Sequence, residues 1–324
     1  MGLTAFPNGL SSFGVPVVGG GGIPATKGTM YFVDYGSGSD GNDGTNISTP
    51  YKTLAYAYGM ATTNMDDVIC LMGSTAHTLT GMLSITKNRV HFIGLDGTPG
   101  RHFGQNARVV IGVTTDTANV SMIQNTGVRN SFHNIKFDSG DTLTQAVTCF
   151  GEGGEFTLFT NCHFYKSTHL TTTTATELLL NGDSCAFYNC TFGSLVNQVA
   201  DNYIRPNVRL ARETITGKVC RDCYFENCLF LTKAGGTEAT HVYAAGATDV
   251  ERMLQFKDCT FHNAQLSAAV AANAVGAASA QTEGIIFLKN CSSVNCTVMA
   301  KAATNIFVDG AVPTFATTGV SLEA

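Results

Sequence analysis

The sequence predicts an all-β protein built as a parallel β-helix, a solenoid of stacked coils, with an extended N-terminal arm and a short capping helix. One observation is compositional: charged residues make up 13% of the 324 residues, about half of the roughly 25% that is usual for soluble domains. Glycine, in contrast, accounts for 35 residues. Long charged side chains suit helix surfaces, whereas small and β-branched ones suit strands and turns, so a helical bundle is disfavoured. The other observation is a repeat.

A short motif, Phe-x-Asn-Cys-x-Phe, recurs along the middle of the chain at similar but unequal intervals. A metal site or an active site does not repeat in this way, whereas a stacked structural unit does. In a solenoid each such unit contacts only its neighbours. The copies are Phe132–Phe137, Phe159–Phe164, Phe187–Phe192, Phe225–Phe230, Phe256–Phe261 and, in degenerate form, Leu288–Ser293.

The spacing inside the motif predicts a bend. Strand side chains alternate between two faces, so the first Phe and the Cys, three positions apart, both reach the interior only if the chain turns between them. Asn and Asp tolerate the left-handed backbone conformation better than other non-glycine residues, and stacked Asn side chains can hydrogen-bond from coil to coil. The predicted corner residues are Asn134, Asn161, Asn189, Asn227, Asp258 and Asn290.

The chain has eleven cysteines, and five of them occupy one position of the repeat. Their register with the coils favours a column of buried free thiols, in a chain that folds in a reducing cytoplasm, over disulfides. The pair Cys220 and Cys223 has no second pair at zinc-like spacing, so we expect no metal and no cofactor. The five repeat cysteines are Cys162, Cys190, Cys228, Cys259 and Cys291.

The segments around the repeat divide the chain into four parts. The stretch 51–62 has apolar residues at helical spacing, and Thr49 and Pro50 before it offer an N-cap and a first helical residue; this helix is predicted to cover the first coil. A cap is needed there because the end of a solenoid exposes its core. The predicted parts are an arm over 1–30, a strand-loop-helix cap over 31–66, the β-helix over 67–310 and a C-terminal tail over 311–324.

The arm is apolar but rich in glycine and proline, so it can sustain neither a helix nor a central strand. An apolar segment without a core of its own needs a partner surface, and we interpret it as an anchoring arm. The alternative is that the segment lies along its own β-helix. The candidate anchoring residues are Phe6, Pro7, Leu10, Phe13, Val15 and Pro16.

Charge and hydropathy exclude two classes of partner. The net charge of −5 and the isoelectric point near 5.9 argue against a protein that binds nucleic acid. No segment reaches the roughly 18 consecutive apolar residues that span a bilayer, and the N-terminus lacks the basic region of a secretory signal. We therefore expect neither nucleic acid nor a membrane as a partner.

A basic stretch over 205–221 stands out against the negative net charge, and we interpret three of its arginines as a subunit contact. The Asp-rich loop over 34–43 lacks the residue order of a calcium loop, so a hydrogen-bonded turn is favoured there. Three histidines that flank the repeat motif are predicted to point outward. The arginines are Arg205, Arg209 and Arg212, and the histidines are His133, His163 and His262.

The strand at Tyr31–Asp34, the following Gly-, Asp- and Asn-rich loop and the Thr-Pro-Tyr-Lys-Thr-Leu sequence at 49–54 resemble the N-terminal entry of right-handed β-helix proteins of the pectate-lyase-like class. Many of these proteins come from bacteriophages. The segments Phe6–Pro16, Gly127–Phe137 and Arg212–Lys218 are similar to a group of phage virion proteins. The resemblance implies a right-handed β-helix that is a structural part of the head of a phage particle. With this role we expect the capsid protein as partner, assembly in the host cytoplasm and a homotrimeric state.

Carboxylate pairs decide whether the chain could instead be an enzyme, because glycoside hydrolysis needs two carboxyl groups at set separations in one groove. The candidate acids lie on different coils, and solvated acids or acids paired with arginines are favoured over a catalytic pair. The chain also lacks tryptophan. We therefore predict no catalytic residue. The acids are Glu152, Glu155, Asp183, Glu213, Asp249 and Glu251.

Three functions follow from these observations. The first is a non-enzymatic decoration protein that stabilises a phage capsid and is held by its arm. The second is a tailspike-like protein that binds or cleaves host polysaccharide, a hypothesis that rests on analogy of fold. The third is a non-catalytic fibre or receptor-binding module. The lack of a catalytic constellation favours the first.

Overall fold

The computed structural model describes residues 11–12, 15–16, 28–95, 104–112, 121–139, 148–165, 175–199, 205–213, 216–234, 239–264, 271–300, 305–309 and 319–320. Most strands belong to three long parallel sheets. A separate antiparallel pair joins Ser11–Ser12 to Val15–Pro16. The described part of the chain contains one α-helix, Leu54–Met60, and no helix in it is long and apolar enough to cross a membrane.

The three sheets, here called sheets 1, 2 and 3, have eleven, eight and eight strands. The strands of sheet 1 are Met30–Val33, Asp67–Leu71, Val90–Gly94, Ser131–His133, Leu158–Thr160, Ala186–Tyr188, Cys220–Glu226, Val250–Lys257, Gly284–Lys289, Ile306–Asp309 and Gly319–Val320. Those of sheet 2 are His77–Leu79, Arg108–Ile111, Lys136–Asp138, His163–Tyr165, Thr191–Val199, Leu229–Ala234, Thr260–Asn263 and Ser292–Val294. Those of sheet 3 are Leu83–Ile85, Ser121–Asn125, Thr148–Glu152, Thr176–Leu180, Val208–Leu210, Thr240–Ala244, Ala271–Ala277 and Cys296–Ala300.

One strand from each sheet makes one coil, and the chain visits sheet 1, sheet 2 and sheet 3 in that order from Asp67 to Ala300. Neighbouring coils pair in parallel and in register, so that equal positions of the motif lie above one another. Phe132, for example, pairs with Phe159, and Phe159 pairs with Phe187. The predicted parallel β-helix is therefore confirmed.

The corner between sheets 1 and 2 is the predicted bend. All six predicted corner residues have a left-handed backbone, with φ between 50° and 58°. Their side chains form a ladder in which Asn161 Nδ2 donates to Asn134 Oδ1 at 2.8 Å and Asn227 Nδ2 donates to Asn189 Oδ1 at 2.6 Å. The last two corners, Asp258 and Asn290, are joined in the same way. The prediction of bends and of coil-to-coil hydrogen bonds is confirmed.

Two columns of phenylalanine rings fill the core on either side of this corner. Ring centroids of successive coils are 4.4 to 4.9 Å apart in the column on sheet 1 and 4.7 to 5.3 Å apart on sheet 2. Burial of one Phe side chain stabilises a fold by about 1.5–3 kcal/mol, and an aromatic pair adds about 0.5–1.5 kcal/mol. The sheet 1 column is Phe92, Phe132, Phe159, Phe187, Phe225 and Phe256, and the sheet 2 column is Phe137, Phe164, Phe192, Phe230 and Phe261.

All eleven cysteines are free thiols, and nine of them are buried. The repeat cysteines contact the coil before their own, since Cys162 Sγ donates to Phe132 O and Cys228 Sγ to Phe187 O, both at 3.4 Å. Burial raises the pKa of both thiols well above its ordinary value. The prediction of core-filling thiols is confirmed for Cys162, Cys190, Cys228 and Cys259, whereas Cys291 is only partly buried.

The α-helix begins later than the sequence predicts. Its N-cap is Thr53 rather than Thr49, and its last residue is Met60. Asp40 explains the difference, because its carboxylate accepts hydrogen bonds from the backbone N–H groups of Lys52 and Thr53, at 2.9 and 2.8 Å, and holds them outside the helix. The Thr53 hydroxyl then caps the first turn.

The helix lies on the first coil, as predicted for the cap. Its residues Leu54, Ala57 and Tyr58 are buried. The Tyr58 hydroxyl accepts hydrogen bonds from the backbone N–H groups of Thr86 and Lys87, at 2.8 and 2.9 Å, which follow the last strand of that coil. The core that an open solenoid would expose at this end is therefore covered.

Candidate ligand pocket at the corner between sheets 3 and 1

A second column of left-handed residues, which the sequence does not predict, runs along the corner between sheets 3 and 1. The φ angles lie between 48° and 63°, a conformation that is uncommon for bulky side chains. Hydrogen bonds between coils stabilise it, since the N–H of Phe156 donates to Asp183 O and that of Ser184 to Arg221 O, both at 2.8 Å. The column is Arg89, Arg129, Phe156, Ser184, Asp222 and Arg252.

A column of charged residues stands immediately before it in the chain. Parallel β-bridges align Glu155 with Asp183 and Asp183 with Arg221, and Arg221 pairs with Glu251. Paired strands lie about 4.8 Å apart, so the two acids Glu155 and Asp183 are stacked, and Arg221 stands between Asp183 and Glu251. The Arg221 guanidinium contacts Asp183 Oδ2 at 3.3 Å and Glu251 Oε2 at 2.5 Å. The hydrogen bond that it donates to Glu251 raises the pKa of Arg221.

An open pocket of about 170 Å³ lies against this charged column. Lys218 enters it from the segment 216–219, where its Nζ donates to Gly153 O at 2.8 Å and lies 3.8 Å from Glu155 Oε1. Two carboxylates and two cationic side chains therefore balance each other in the lining. The lining residues are Glu155, Asn181, Asp183, Thr216, Gly217, Lys218, Val219 and Arg221.

Glu152 precedes the pocket residues but belongs to the core. It lies on sheet 3 between Asn125 and Leu180 of the neighbouring coils. Its carboxyl group accepts hydrogen bonds from Asn125 Nδ2 at 2.9 and 3.0 Å, from the Gly154 N–H at 2.7 Å and from the Thr157 hydroxyl at 3.1 Å. Burial raises the pKa of Glu152 to about 7, although these hydrogen bonds oppose the rise.

The pocket supplies hydrogen bonds and charge rather than an acid–base pair. A general acid needs both a raised pKa and access to the ligand. Glu152 has the raised pKa but is 0% exposed. Glu155 and Asp183 face the pocket, but each is paired with a cation, Lys218 or Arg221. This arrangement is suited to binding.

The other predicted acids do not join the pocket. Asp249 is buried and accepts hydrogen bonds from the backbone N–H groups of Arg212 and Gly246. Glu213 accepts a hydrogen bond from the hydroxyl of Thr216, in its own turn. Their carboxylates therefore stabilise local structure.

The arm has little described structure. Val15 and Pro16 form the strand that pairs with Ser11–Ser12. The other candidate anchoring residues lie outside the described residues, namely Phe6, Pro7, Leu10 and Phe13.

The three arginines predicted as a subunit contact do not form one exposed patch. Arg205 is 6% exposed, and its guanidinium lies 3.4 Å from Glu177 Oε1 in a buried ion pair. This corrects the prediction for Arg205, because a side chain held inside its own chain is not presented to another subunit. Arg209 is partly buried on sheet 3, and Arg212 forms an ion pair with Glu283.

Two histidines are placed differently from the prediction. His133 and His163, expected to point outward, are 5% and 6% exposed. They contact the Ser131 hydroxyl and Gly193 O, respectively, both at 3.0 Å. Burial lowers the pKa of His133 to about 4, so its ring is neutral at pH 7. His262 is only partly buried.

The Asp-rich loop of the cap is a hydrogen-bonded turn, as its residue order favours. Asp34 accepts hydrogen bonds from the Gly36 N–H and from the hydroxyls of Ser37 and Ser74, and Asp40 binds the backbone before the helix. Across the described ranges, no three His, Cys, Asp or Glu side chains come together as a metal site would require.

The pocket residue Asn181 and the left-handed residue Phe156 were not predicted from the sequence. A glycine two positions before the left-handed residue is the available signal, as in Gly154-Glu-Phe156 and Gly182-Asp-Ser184. A Cβ at Gly154 would lie 2.3 Å from Gly127 O, and one at Gly182 would lie 2.7 Å from Gly154 O. Successive backbones therefore approach too closely here for any larger residue.

Comparisons with known proteins bear on the fold. The chain matches no protein-family model, and no curated protein sequence matches it. Among solved structures, a pectin methylesterase variant in complex with a hexasaccharide superimposes with a TM-score of 0.57 at 14% identity, over 90% of this chain and 92% of that one. At this identity the likeness shows the fold, a right-handed parallel β-helix.

Two further solved structures give weaker superpositions. Pectate lyase Pel9A has a TM-score of 0.47 at 11% identity, over 86% of this chain and 78% of that one. The ORF18 protein of Geobacillus virus E2 has a TM-score of 0.45 at 9% identity, over 84% of this chain and 59% of that one.

The buried carboxyl group of Glu152 predicts a pH-dependent stability. Its pKa is about 7 in the folded chain and about 4.3 when unfolded, so the folded state binds the additional proton between these values. The free energy of unfolding should therefore fall as the pH rises through this window, by up to about 4 kcal/mol. Glu152→Gln, which cannot ionise, should remove this component.

The measurement is urea denaturation of the parent chain and of Glu152→Gln between pH 4 and pH 8, and the quantity of interest is the difference between the two curves. Taking the difference cancels the opposite contribution of buried histidines such as His133. A difference that does not change with pH would contradict the raised pKa of Glu152.

Proposed function

We propose that this chain is a structural protein of a bacteriophage particle, a capsid decoration protein on the head surface that is attached through its N-terminal arm. The proposal is supported by the likeness of Phe6–Pro16, Gly127–Phe137 and Arg212–Lys218 to phage virion proteins. Its main structural support is that the repeated side chains of the motif contact the neighbouring coils. Phenylalanine rings, thiols and Asn side chains bind coil to coil, which makes a stiff body suited to reinforcing a surface.

The same proposal includes a partner, a place and an oligomeric state. The partner is the capsid protein, the place is the virion head after assembly in the host cytoplasm, and the state is a homotrimer. Arg212, which is partly exposed beside Glu283, remains available for a contact between subunits. Arg209 is a weaker candidate because it is partly buried.

Deletion of residues 1–24 tests the attachment. The described β-helix begins after this segment, so we expect a folded protein whose binding to particles falls at least about a hundredfold, as loss of an interface's apolar anchors implies. Binding would be measured by co-sedimentation with purified particles of the encoding phage from which this chain has been removed.

A chain in which the segment 1–24 is scrambled at constant composition is the matched control, and it should bind as weakly as the deletion. Mass spectrometry of untreated virions should also detect peptides of this chain. Undiminished particle binding by the deletion variant would overturn the role of the arm, and absence of the chain from virions would overturn the proposal as a whole.

A second candidate function, cleavage of a host polysaccharide, is favoured by one observation. Glu155 and Asp183 lie on adjacent coils and line one open pocket, and a pair of carboxyl groups in one groove is what glycoside hydrolysis requires. The solved structures with this fold include a pectin methylesterase bound to a hexasaccharide. The pairing of both carboxylates with cations places this function second.

Release of reducing ends from purified host surface polysaccharide tests the second candidate. If the chain is an enzyme, Glu155→Gln and Asp183→Asn should each lower the rate at least about a hundredfold, the range for loss of an acid–base group. Glu251→Gln, on the same column but outside the pocket lining, is the control and should retain the rate. If the parent chain releases no reducing ends, the second candidate is wrong.

A further inference from the structure

The thiol column of the repeat is closed along most of its length and partly open at its C-terminal end. Four of the five repeat cysteines are buried, whereas Cys291, the last of them, is only partly buried. Its coil supplies the last strands of sheets 2 and 3 in the described part of the chain, Ser292–Val294 and Cys296–Ala300. Val294 and Val298, on these strands, are 47% and 42% exposed. Solvent therefore has access to the column at this end.

Cys259 is the neighbour of Cys291 on the preceding coil. The residues that follow them, Thr260 and Ser292, pair in register, so the two cysteines occupy equivalent positions. Paired strands lie about 4.8 Å apart, within the range of about 4.4–6.8 Å between Cα atoms that a disulfide accepts. The two thiols also hydrogen-bond to each other. They are therefore in contact as free thiols and close enough to be joined.

Access from solvent separates this pair from the rest of the column. Cys162 and Cys190 hydrogen-bond in the same way, but both are 0% exposed, so neither is open to an oxidant in solution. Cys296, the other partly buried thiol, lies outside the repeat position. Among the five repeat cysteines, Cys291 alone combines exposure with a neighbouring thiol.

We propose that Cys259 and Cys291 form a redox-active pair, which a peroxide converts into a disulfide that ties their two coils together. In the first step, the O–O bond of hydrogen peroxide breaks, the Cys291 sulfur takes up one oxygen as a sulfenic acid, and the other oxygen leaves as water. In the second step, the Cys259 sulfur attacks the Cys291 sulfur, the S–OH bond breaks, and the hydroxyl leaves with the Cys259 proton as water. The two thiols have then lost two electrons and two protons, and the peroxide has become two molecules of water.

The occasion for this oxidation rests on the proposed function. Thiols are kept reduced in the cytoplasm, where the particle is proposed to assemble, and a released particle meets oxidants outside the host. A disulfide stabilises a fold mainly by restricting its unfolded chain, here the segment from Cys259 to Cys291. The cross-link should therefore reinforce the open end of the solenoid after release.

The test treats the purified, fully reduced chain with hydrogen peroxide at pH 8, alkylates the remaining thiols in denaturant and maps the peptides by mass spectrometry without a reductant. Two peptides joined through Cys259 and Cys291 should accumulate, lighter by two hydrogen atoms than the reduced peptides. A Cys162–Cys190 cross-link should be at least about tenfold less abundant, because oxidation follows exposure. Dithiothreitol should restore both thiols of the pair.

Cys291→Ser should abolish the cross-link and leave Cys259 as a thiol. In Cys259→Ser, the sulfenic acid of Cys291 lacks its partner and should be trapped by dimedone. Cys296→Ser is the matched control, because it removes the other partly buried thiol and keeps the pair, and it should form the cross-link like the parent chain. The parent chain by itself decides the test if a variant fails to fold.

Three results would each overturn the proposal: no disulfide between Cys259 and Cys291, an equally abundant one between Cys162 and Cys190, or a disulfide that joins Cys291 to Cys296 or to a second copy of the chain. Virions that are alkylated and opened without a reductant should contain the same cross-link. Its absence from virions that contain the chain would overturn oxidation on release. Absence of the chain itself would overturn the proposed function and leave the chemistry of the pair unaffected.

Discussion

The left-handed corner between sheets 1 and 2 is the constraint on which the rest of the structure depends. Left-handed φ angles at Asn134, Asn161 and their equivalents turn the chain between two strands, so that residues three apart in the motif both enter the core. The phenylalanine columns and the thiol column exist only because of this turn. The Asn ladder then helps to fix the vertical register, since the amides of Asn161 and Asn227 each reach the corner residue of the preceding coil.

This corner could be predicted because the residue types at the bend themselves favour the left-handed conformation. Asn is the non-glycine residue that best tolerates a left-handed backbone. It recurs between two apolar residues that are three positions apart, and these can both face the core only if the chain turns between them. The second corner could not be predicted in this way. Its left-handed residues include Arg129, Phe156 and Ser184, which have no such preference, and their conformation is imposed by hydrogen bonds between coils and by glycines at close backbone approaches.

The pocket could not be predicted for the same reason, because it is built on the second corner. Glu155 and Asp183 each stand four residues before the first Phe of a motif copy, so the repeat aligns them on adjacent coils, but it does not indicate that Lys218 and its neighbours complete a pocket beside them. The buried ion pair of Arg205 and Glu177 likewise joins residues that are far apart in the sequence. Residues that act through their own backbone preference are therefore predictable here, whereas those that act through a neighbouring coil are not.

The two corners differ in what their side chains do. The corner between sheets 1 and 2 joins neighbouring coils, and the corner between sheets 3 and 1 carries the charged residues and the pocket. On the first, the Asn side chains and the phenylalanine rings contact their equivalents on neighbouring coils. On the second, the charged residues are paired with one another and line an open pocket.

The backbone conformation of the Asn corner, and not only its ladder, holds the coil together. The most direct measurement of this is the urea-unfolding midpoint of Asn161→Ala and Asn161→Gly. Both variants lose the ladder hydrogen bonds of Asn161, but only glycine adopts a positive φ without strain, so Asn161→Gly should be the more stable by about 1 kcal/mol. At Thr160, in the adjoining strand, the order should reverse. An Asn161→Gly variant that is no more stable than Asn161→Ala would contradict the claim.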